Sequence, residues 1–233
     1  MFTQSIFATL ALASSLVSAA VTPGMSLDSR SLARRSLSGQ ATYYGGNVQG
    51  GTCSFSTYTL PSGLQGTALS DANWDTAANC GGCVQVNYGG KSVTAMIVDQ
   101  CPGCGVNHLD LFPSAFTSLA PASKGIIDIT WDYVPCPVTG PLQIHMKSGV
   151  SQYWFSAQVV NGHRRTAKLE ASADQGKTWK MATRQTYNFF EISSGIGATT
   201  AWIRVTSQTG TVVVVKDVSM KGDVVKVANS NYA

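Results

Sequence analysis

The sequence has 233 residues and a net charge of +4 at neutral pH, with 44% hydrophobic and 12% charged residues. This length accommodates one large β domain or two small ones. Beyond the N-terminal region, no stretch reaches the ~20 consecutive apolar residues that a membrane-spanning helix needs, which excludes a helical membrane protein. The content of 23 Gly, 8 Tyr, 8 Phe and 5 Trp favours β structure.

Residues 1–19 are typical of a secretory signal peptide. An apolar stretch at 6–17 precedes small residues at 18–20 and is too short to cross a bilayer. We therefore predict a secreted, extracellular protein that has no membrane partner. Residues 20–38 are predicted to be a disordered arm or a pro-segment, for which the dibasic pair Arg34-Arg35 is the expected cleavage site.

In the first half of the chain, runs rich in Val, Ile, Thr and aromatic residues alternate with Gly and Pro breaks, which is typical of strands. The predicted strands are Gln40–Tyr44, Val84–Tyr88, Ser92–Val98 and Ile126–Val134. A short helix is predicted at Pro113–Leu119, because Pro stands at the first helical position and the apolar residues share one face.

All six cysteines lie before residue 137. They are Cys53, Cys80, Cys83, Cys101, Cys104 and Cys136. Two C-x-x-C spacings fit a four-cysteine zinc site, and Cys101-Pro-Gly-Cys104 resembles a redox dithiol. An even number of cysteines in a secreted chain instead favours three disulfides. We therefore expect neither a metal nor a cofactor.

After residue 137 the strand pattern restarts without cysteine, which predicts a second unit. Its predicted strands are Leu142–Met146, Trp154–Val160, Lys168–Ser172, Trp202–Thr206 and Thr211–Val215, with a hairpin turn at Asp174-Gln175-Gly176. This spacing is typical of a small β-sandwich. The predicted domains are therefore 39–137 and 140–222, followed by a tail at 223–233.

The two halves also differ in charge. Residues 36–137 carry two basic and six acidic residues, a net charge of −4, whereas 138–233 carry eleven basic and five acidic residues, a net charge of +6. A basic domain in a secreted protein suits anionic polymers or surfaces. Because a signal peptide is predicted, nucleic acid is not an expected partner.

Several short motifs lie in a fixed order along the chain. In the first half they are Ala41-Thr42-Tyr43-Tyr44-Gly45, Cys80-Gly-Gly-Cys83, Val98-Asp99-Gln100-Cys101-Pro102, His108-Leu109-Asp110-Leu111 and Gly125 through Val134-Pro135-Cys136. In the second half they are Lys147-Ser148-Gly149, Ser151-Gln152-Tyr153-Trp154, Gln158-Val159 and Thr186-Tyr187-Asn188-Phe189. Their order and spacing resemble those of expansins and loosenins. The resemblance implies an all-β protein: a six-stranded double-psi β-barrel, related to that of family 45 glycoside hydrolases, and then an immunoglobulin-like β-sandwich that binds cellulose.

The resemblance assigns roles to four residues of the barrel. Asp110 matches the aspartate that is the general acid of the related hydrolases and that expansins need for loosening. Thr42, Tyr44 and Asp99 match polar residues that line the same groove. The disulfides implied by the resemblance are Cys53–Cys80, Cys83–Cys136 and Cys101–Cys104.

In the second half the resemblance assigns Tyr153, Trp154 and Tyr187 to a surface on which glucan chains stack. If Trp154 faces outward, alternation along the strand places Ser156 and Gln158 on the same face. The core side of that strand then carries Phe155, Ala157 and Val159. For Trp179 and Trp202, which lie in apolar strand patterns, we predict a place in the core.

Glycosidic hydrolysis by the usual route needs two carboxylates. The related hydrolases carry the second aspartate just after the Thr-x-Tyr segment, where this chain has Gly45 and Gly46. Asp71, Asp75 and Asp99 remain as substitutes. We therefore predict a protein that binds and loosens wall polysaccharides without hydrolysing them.

The expected partners are cell-wall polysaccharides: cellulose, hemicellulose such as xyloglucan, chitin and anionic wall polymers. Two alternatives stay open. One is an enzyme, either a weak endoglucanase or a single-aspartate lytic transglycosylase acting on a wall glycan. The other is a binding or defence protein of the barwin type, although barwin proteins lack the C-terminal aromatic module.

Overall fold

The computed structural model describes residues 36–233, which are almost entirely β-structure and loops. The predicted signal peptide and the Arg34-Arg35 pair lie outside the described residues, as does most of the predicted arm. Within the described part of the chain, no helix is long and apolar enough to cross a membrane.

Six strands and one helix form the first half. They are β1 Leu37–Tyr43, β2 Gln65–Ser70, β3 Cys83–Tyr88, β4 Lys91–Cys101, β5 Leu109–Leu111, α1 Pro113–Leu119 and β6 Ile127–Val134. The strands close into a barrel in the order β1-β5-β2-β4-β3-β6, in which the β1–β5 and β2–β4 pairs are parallel. The prediction of a six-stranded barrel is confirmed, and α1 has the predicted bounds.

Strand β2 was not among the predicted strands, and its burial explains why. Five of its six residues, Gly66 to Ser70, are buried, so the strand shows no alternation of apolar and polar residues. It also lacks the Val and Ile residues on which the other strands were recognised. Strand β5, which has only three residues, is too short for any periodic signal.

Three disulfides cross-link the barrel half of the described chain. They join Cys53 to Cys80, Cys83 to Cys136 and Cys101 to Cys104, the pairs that the family resemblance implied. The second disulfide ties the end of the barrel to the start of β3. The third closes a short loop directly after β4.

The second half forms two sheets. Its strands are β7 Gln143–Met146, β8 Phe155–Val160, β9 Thr166–Ser172, β10 Lys180–Met181, β11 Thr183–Arg184, β12 Phe190–Ile192, β13 Thr200–Ser207, β14 Val212–Ser219 and β15 Val225–Val227. A four-stranded sheet has the order β10-β9-β13-β14, and a five-stranded sheet has the order β11-β12-β8-β7-β15. Together they enclose one apolar core, as in a β-sandwich.

The five-stranded sheet continues past residue 222, where the tail was predicted to begin. Strand β15 pairs with β7, and Tyr232 is buried in the second core. Residues 223–233 are therefore part of the sheet and its core rather than a separate tail. The domain boundaries themselves stay a prediction.

One prediction about β8 is wrong. Ser156 and Gln158 were expected to face outward with Trp154, but both are fully buried. The barrel covers this end of the sheet, and the Gln158 amide nitrogen donates a hydrogen bond to the Cys53 carbonyl oxygen at 2.9 Å. The core side of the strand is as predicted: Phe155 and Ala157 are buried in the second core, and Val159, which is partly buried, packs against it.

The prediction that Trp179 and Trp202 belong to the core is also wrong. Strand β13 turns Ile203 and its alternate neighbours inward, so Trp202 and Arg204 lie on the outer face of the four-stranded sheet. The Arg204 guanidinium stacks 4.3 Å from the Trp179 ring centre, and the Lys216 ammonium lies 4.5 Å from that of Trp202. Cation–π contacts therefore take the place of core packing for both rings.

Candidate functional site

A hydrogen-bonded group of three side chains lies where β1 and β5 run side by side. The parallel register places Thr42 opposite Asp110. The Thr42 hydroxyl donates to Asp110 Oδ1 at 2.6 Å and lies 2.9 Å from His108 Nε2. Because the single hydroxyl proton is used on the carboxylate, the hydroxyl oxygen accepts from His108 Nε2–H.

The protonation of His108 follows from its surroundings. Its side chain is almost entirely buried, and burial lowers its pKa below the ordinary 6.5, although Asp110 acts in the opposite direction. His108 is therefore neutral at neutral pH and acts as a hydrogen-bond donor to Thr42. Asp110 in turn has a positioned carboxylate that remains partly exposed.

A second group contains Asp99 and Tyr44. Asp99 Oδ1 accepts hydrogen bonds from the backbone amides of Thr52 at 2.7 Å and Gln100 at 2.8 Å, and Oδ2 accepts from the Tyr44 hydroxyl at 3.3 Å. Burial first, and then the charges of Asp99 and Asp110, raise the pKa of Tyr44 well above its usual range. The structure thus brings Thr42, Tyr44, Asp99 and Asp110 to one end of the barrel.

The other candidates for a second carboxylate are used elsewhere. Asp71 accepts from the backbone amides of Ala72 and Gly103, so it holds the loop of the third disulfide. Asp75 lies close to Arg184. Burial lowers the pKa of the Arg184 guanidinium to about 10, and the charge of Asp75 acts against this shift. Neither carboxylate has a hydrogen bond to the Thr42–Asp110 pair among the described residues.

Aromatic side chains are presented by a loop before β8. Tyr153 is 74% exposed and Trp154 is half-buried. A bridge between Ser151 and Trp154 closes the loop. Gly195 supports it with a φ of +63°, and any side chain there would overlap the Gln152 carbonyl oxygen. The close approach at Gly195 therefore holds the backbone of the loop that carries both rings.

Tyr187 lies in the turn between β11 and β12 of the five-stranded sheet and is tied to β12 through Glu191. The Tyr187 hydroxyl donates to Glu191 Oε1 at 2.6 Å, and this bond is the main cause that raises the Tyr187 pKa to about 12. Ser156 donates to the same carboxylate oxygen at 3.2 Å. The Lys147 ammonium lies 5.8 Å from the Tyr187 ring centre. The ring is thus held at its hydroxyl end and flanked by a cation.

Three residues of these groups were not predicted as site residues: His108, Lys147 and Glu191. His108 and Lys147 each lie within a quoted motif, so their position offered a weak signal. Glu191 had none, because its role depends on pairing between strands far apart in sequence. Among residues 36–233, no group of three or more His, Cys, Asp or Glu side chains is arranged to hold a metal ion.

Comparison with known proteins places this geometry in a family. The sequence model of a family described as lytic transglycolase matches residues 66–131. Expansin-like protein 5 of Dictyostelium discoideum is 32% identical over 167 residues, which cover 68% of this chain and 70% of that protein. Expansin-YoaJ of Bacillus subtilis is 32% identical over 179 residues, which cover 75% of each chain.

Solved structures agree. The crystal structure of apo Clavibacter michiganensis expansin matches with a TM-score of 0.77 at 30% identity, covering 85% of this chain and 98% of that one. A mutant of the same protein, solved in complex with cellohexaose, matches equally well. The barrel is therefore the double-psi β-barrel of expansin structures, and the chain belongs to the expansin family.

Proposed function

We propose that this protein is secreted and that it binds and loosens cell-wall polysaccharides without hydrolysing them. The observation that carries the proposal is that the chain has no second carboxylate directly after Tyr44 to act together with Asp110. The Asp110 carboxylate is positioned by Thr42 and partly exposed, and the positions after Tyr44 that could carry a partner are Gly45 and Gly46. The cellohexaose bound to the Clavibacter expansin mutant supports a glucan chain as ligand.

Hydrolysis of a glycosidic bond needs a second catalytic group beside the acid. A base or nucleophile must act on the far side of the sugar from the acid. Asp99, whose charge acts on Tyr44 together with that of Asp110, is the carboxylate to consider, and three hydrogen-bond donors hold it. A carboxylate committed to Thr52, Gln100 and Tyr44 is a poor base for water. Asp110 alone can hydrogen-bond to a strained chain, but it lacks a partner that activates water.

The second part of the proposal concerns anchoring. Tyr153, Trp154 and Tyr187 offer rings against which the apolar faces of pyranose units stack. Each unit buried contributes ~25 cal/mol per Å² of apolar area. Cellulose, hemicellulose and chitin share this ring geometry, while the +6 charge of residues 138–233 adds attraction to anionic wall polymers.

Asp110→Asn tests the proposal. The wild-type protein should weaken cellulose paper or isolated wall strips while releasing no reducing sugar above background. The Asn variant keeps the shape and a hydrogen bond to Thr42 but lacks the ionisable group, so it should bind normally and lose most of the weakening effect. Asp128→Asn is the matched control, because Asp128 is an exposed aspartate on β6 that accepts a hydrogen bond from Gln40.

Two results would count against the proposal. Equal weakening by the Asp110→Asn and wild-type proteins would reduce Asp110 to a structural residue. Soluble oligosaccharides released by the wild type, but not by the variant, would make the protein an enzyme.

One observation favours a second candidate, a lytic transglycosylase activity. The matching family model is described as lytic transglycolase, and its range, 66–131, includes Asp110. Such a reaction can proceed with one acid residue, because a hydroxyl of the sugar itself takes the place of water. Incubation with peptidoglycan, followed by mass analysis for anhydro-sugar ends, distinguishes this activity from loosening.

A further inference from the structure

A cleft of about 470 Å³ opens between the 49–56 loop of the barrel and the five-stranded sheet. Its volume is within the ~300–1,000 Å³ that is common for small-molecule sites. The side chains that matter for recognition are Ser54, Ser56, His145, Lys147, Tyr187 and Asp223.

The most informative of these residues is His145, which is only 2% exposed. Its Nδ1 atom lies 3.4 Å from the Gln158 side-chain oxygen. The Gln158 amide nitrogen is already bound to the Cys53 carbonyl oxygen, so the oxygen faces His145 and accepts from Nδ1–H. In this neutral tautomer Nε2 is a hydrogen-bond acceptor.

The Nε2 atom of His145 has no hydrogen-bond partner. Buried acceptors without a partner are rare in native proteins, and each calls for a physical explanation. A hydroxyl group supplied by a ligand in the cleft would provide the missing donor. Nε2 is closed to solvent, so a side chain of the cleft lining must move for a ligand to reach it, and Lys147 is the long, flexible side chain in that lining.

The rim of the cleft indicates what kind of ligand fits. Lys147 and Asp223 contribute opposite charges, so the cleft has no net charge to select an ion. Ser54 and Ser56 add hydroxyls that both donate and accept. The Tyr187 ring adds an apolar wall. A neutral pyranose unit, which has hydroxyls along its edge and apolar faces, matches this lining.

The position of the cleft indicates which unit of the polymer it takes. One end of the cleft is at Gly51, which lies next to the Asp99 carboxylate. The other end is at Tyr187, one of the three aromatic residues proposed to stack against sugar rings. A main chain that spans these two regions crosses the mouth of the cleft. His145 lies at its floor, so only a unit that projects sideways from the main chain reaches Nε2.

On this basis, and resting on the proposed function, we propose that the cleft binds a neutral pyranose branch of a glucan, with a branch hydroxyl donating to His145 Nε2. The protein would then prefer branched over unbranched chains of the same backbone length. Aromatic stacking alone offers no such preference, because it depends on the backbone units.

Calorimetric titration with cellohexaose and with a xyloglucan oligosaccharide of the same backbone length tests this inference. The wild type should bind the branched ligand roughly tenfold more tightly, the scale of one hydrogen bond to a buried acceptor. His145→Asn keeps a group at the Nδ1 position toward Gln158 but removes Nε2, so the preference should disappear while cellohexaose binding stays unchanged. His145→Gln, which restores a polar atom near Nε2, should recover part of the preference.

A measurement on the wild type guards against misfolded variants. The ¹⁵N resonance of His145 Nε2 should shift when the branched ligand is added and stay unchanged with cellohexaose. Equal wild-type affinities for the two ligands, or an unaltered preference in a folded His145→Asn protein, would overturn the inference alone. Absence of binding to either ligand would overturn the proposed function as well, so the two failures are distinguishable.

Discussion

At the scale of single residues, the candidate site depends on how the Thr42 hydroxyl is shared between two neighbours. Thr42 donates to Asp110 and accepts from His108, so the histidine must carry its proton on Nε2. A charged imidazole would still donate there, but the burial of the ring opposes the charge. The hydrogen-bonded group of Thr42, His108 and Asp110 therefore contains a neutral histidine.

This arrangement predicts a pH dependence of stability. Because the folded-state pKa of His108 is lowered, the unfolded chain binds more protons as the pH falls through about 6.5, and folding stability decreases there. In His108→Gln that part of the loss should be absent. Urea unfolding above and below this pH, for both proteins, measures the difference. The acidic groups contribute equally to both, so parallel pH profiles would contradict the prediction.

At the scale of elements, the two sheets of the second half each present a tryptophan outside the core, but in different surroundings. Trp154 lies beside the exposed Tyr153 on the five-stranded side. Trp202, on the four-stranded side, is engaged by Lys216 and donates to Asp217 at 3.2 Å. Trp154 packs against the second core and leaves part of its ring exposed, whereas Trp202 is engaged by its own neighbours.

Trp154→Ala should therefore remove most affinity for insoluble cellulose, a loss of about tenfold or more for one stacked ring. Trp202→Ala is the matched control, with similar exposure on the opposite sheet, and it should bind like the wild type. Sedimentation of each protein with cellulose measures the affinities. Retained binding by a folded Trp154→Ala protein, or a loss in Trp202→Ala, would place the binding surface elsewhere.

The elements also show which parts of the fold were predictable. Strands β4 and β6 were found because Val and Ile residues recur in them, and α1 because Pro113 marks its start. Strand β2 is buried on both faces and gives no alternation. Trp202 was misplaced because an apolar strand pattern does not reveal which face meets a cation, and Lys216 is on a different strand.

For the candidate site, the family resemblance indicated Thr42, Tyr44, Asp99 and Asp110. The structure then showed which hydrogen bonds these residues make. The role of His145 could not be predicted from the sequence, because neither periodicity nor a motif distinguishes a core histidine from one that lines a cleft. Its surroundings arise only when the barrel covers the sheet, a contact between residues more than one hundred positions apart. Long-range contacts of this kind leave no local trace in a single sequence.

At the scale of the whole molecule, the barrel and the sheets meet through specific polar bonds. Gln158 and Asn188 both donate to the Cys53 carbonyl oxygen, and Trp74 donates to the Thr186 carbonyl oxygen at 3.1 Å. Residues 36–233 accordingly form a single compact unit. The two halves differ in composition but share a buried junction.

We expect the described part of the chain to unfold in one cooperative thermal transition. Gln158→Leu removes a buried donor to Cys53 and leaves His145 without its partner, so it should cost about 1–3 kcal/mol. At about 2–4 °C per kcal/mol for a chain of this size, the melting temperature falls by several degrees. Differential scanning calorimetry measures both quantities. Two separate peaks in the wild-type protein would contradict the expectation.

The junction has a consequence for the form of polymer that the protein selects. Because bonds to the Cys53 carbonyl oxygen hold the groove and the aromatic surface together, the protein loses little freedom on binding, and the main entropic cost lies in straightening the polysaccharide. A glucan chain that neighbouring chains already hold straight does not lose this conformational entropy on binding. We expect the protein to bind such taut chains more tightly than the same polymer coiled in solution.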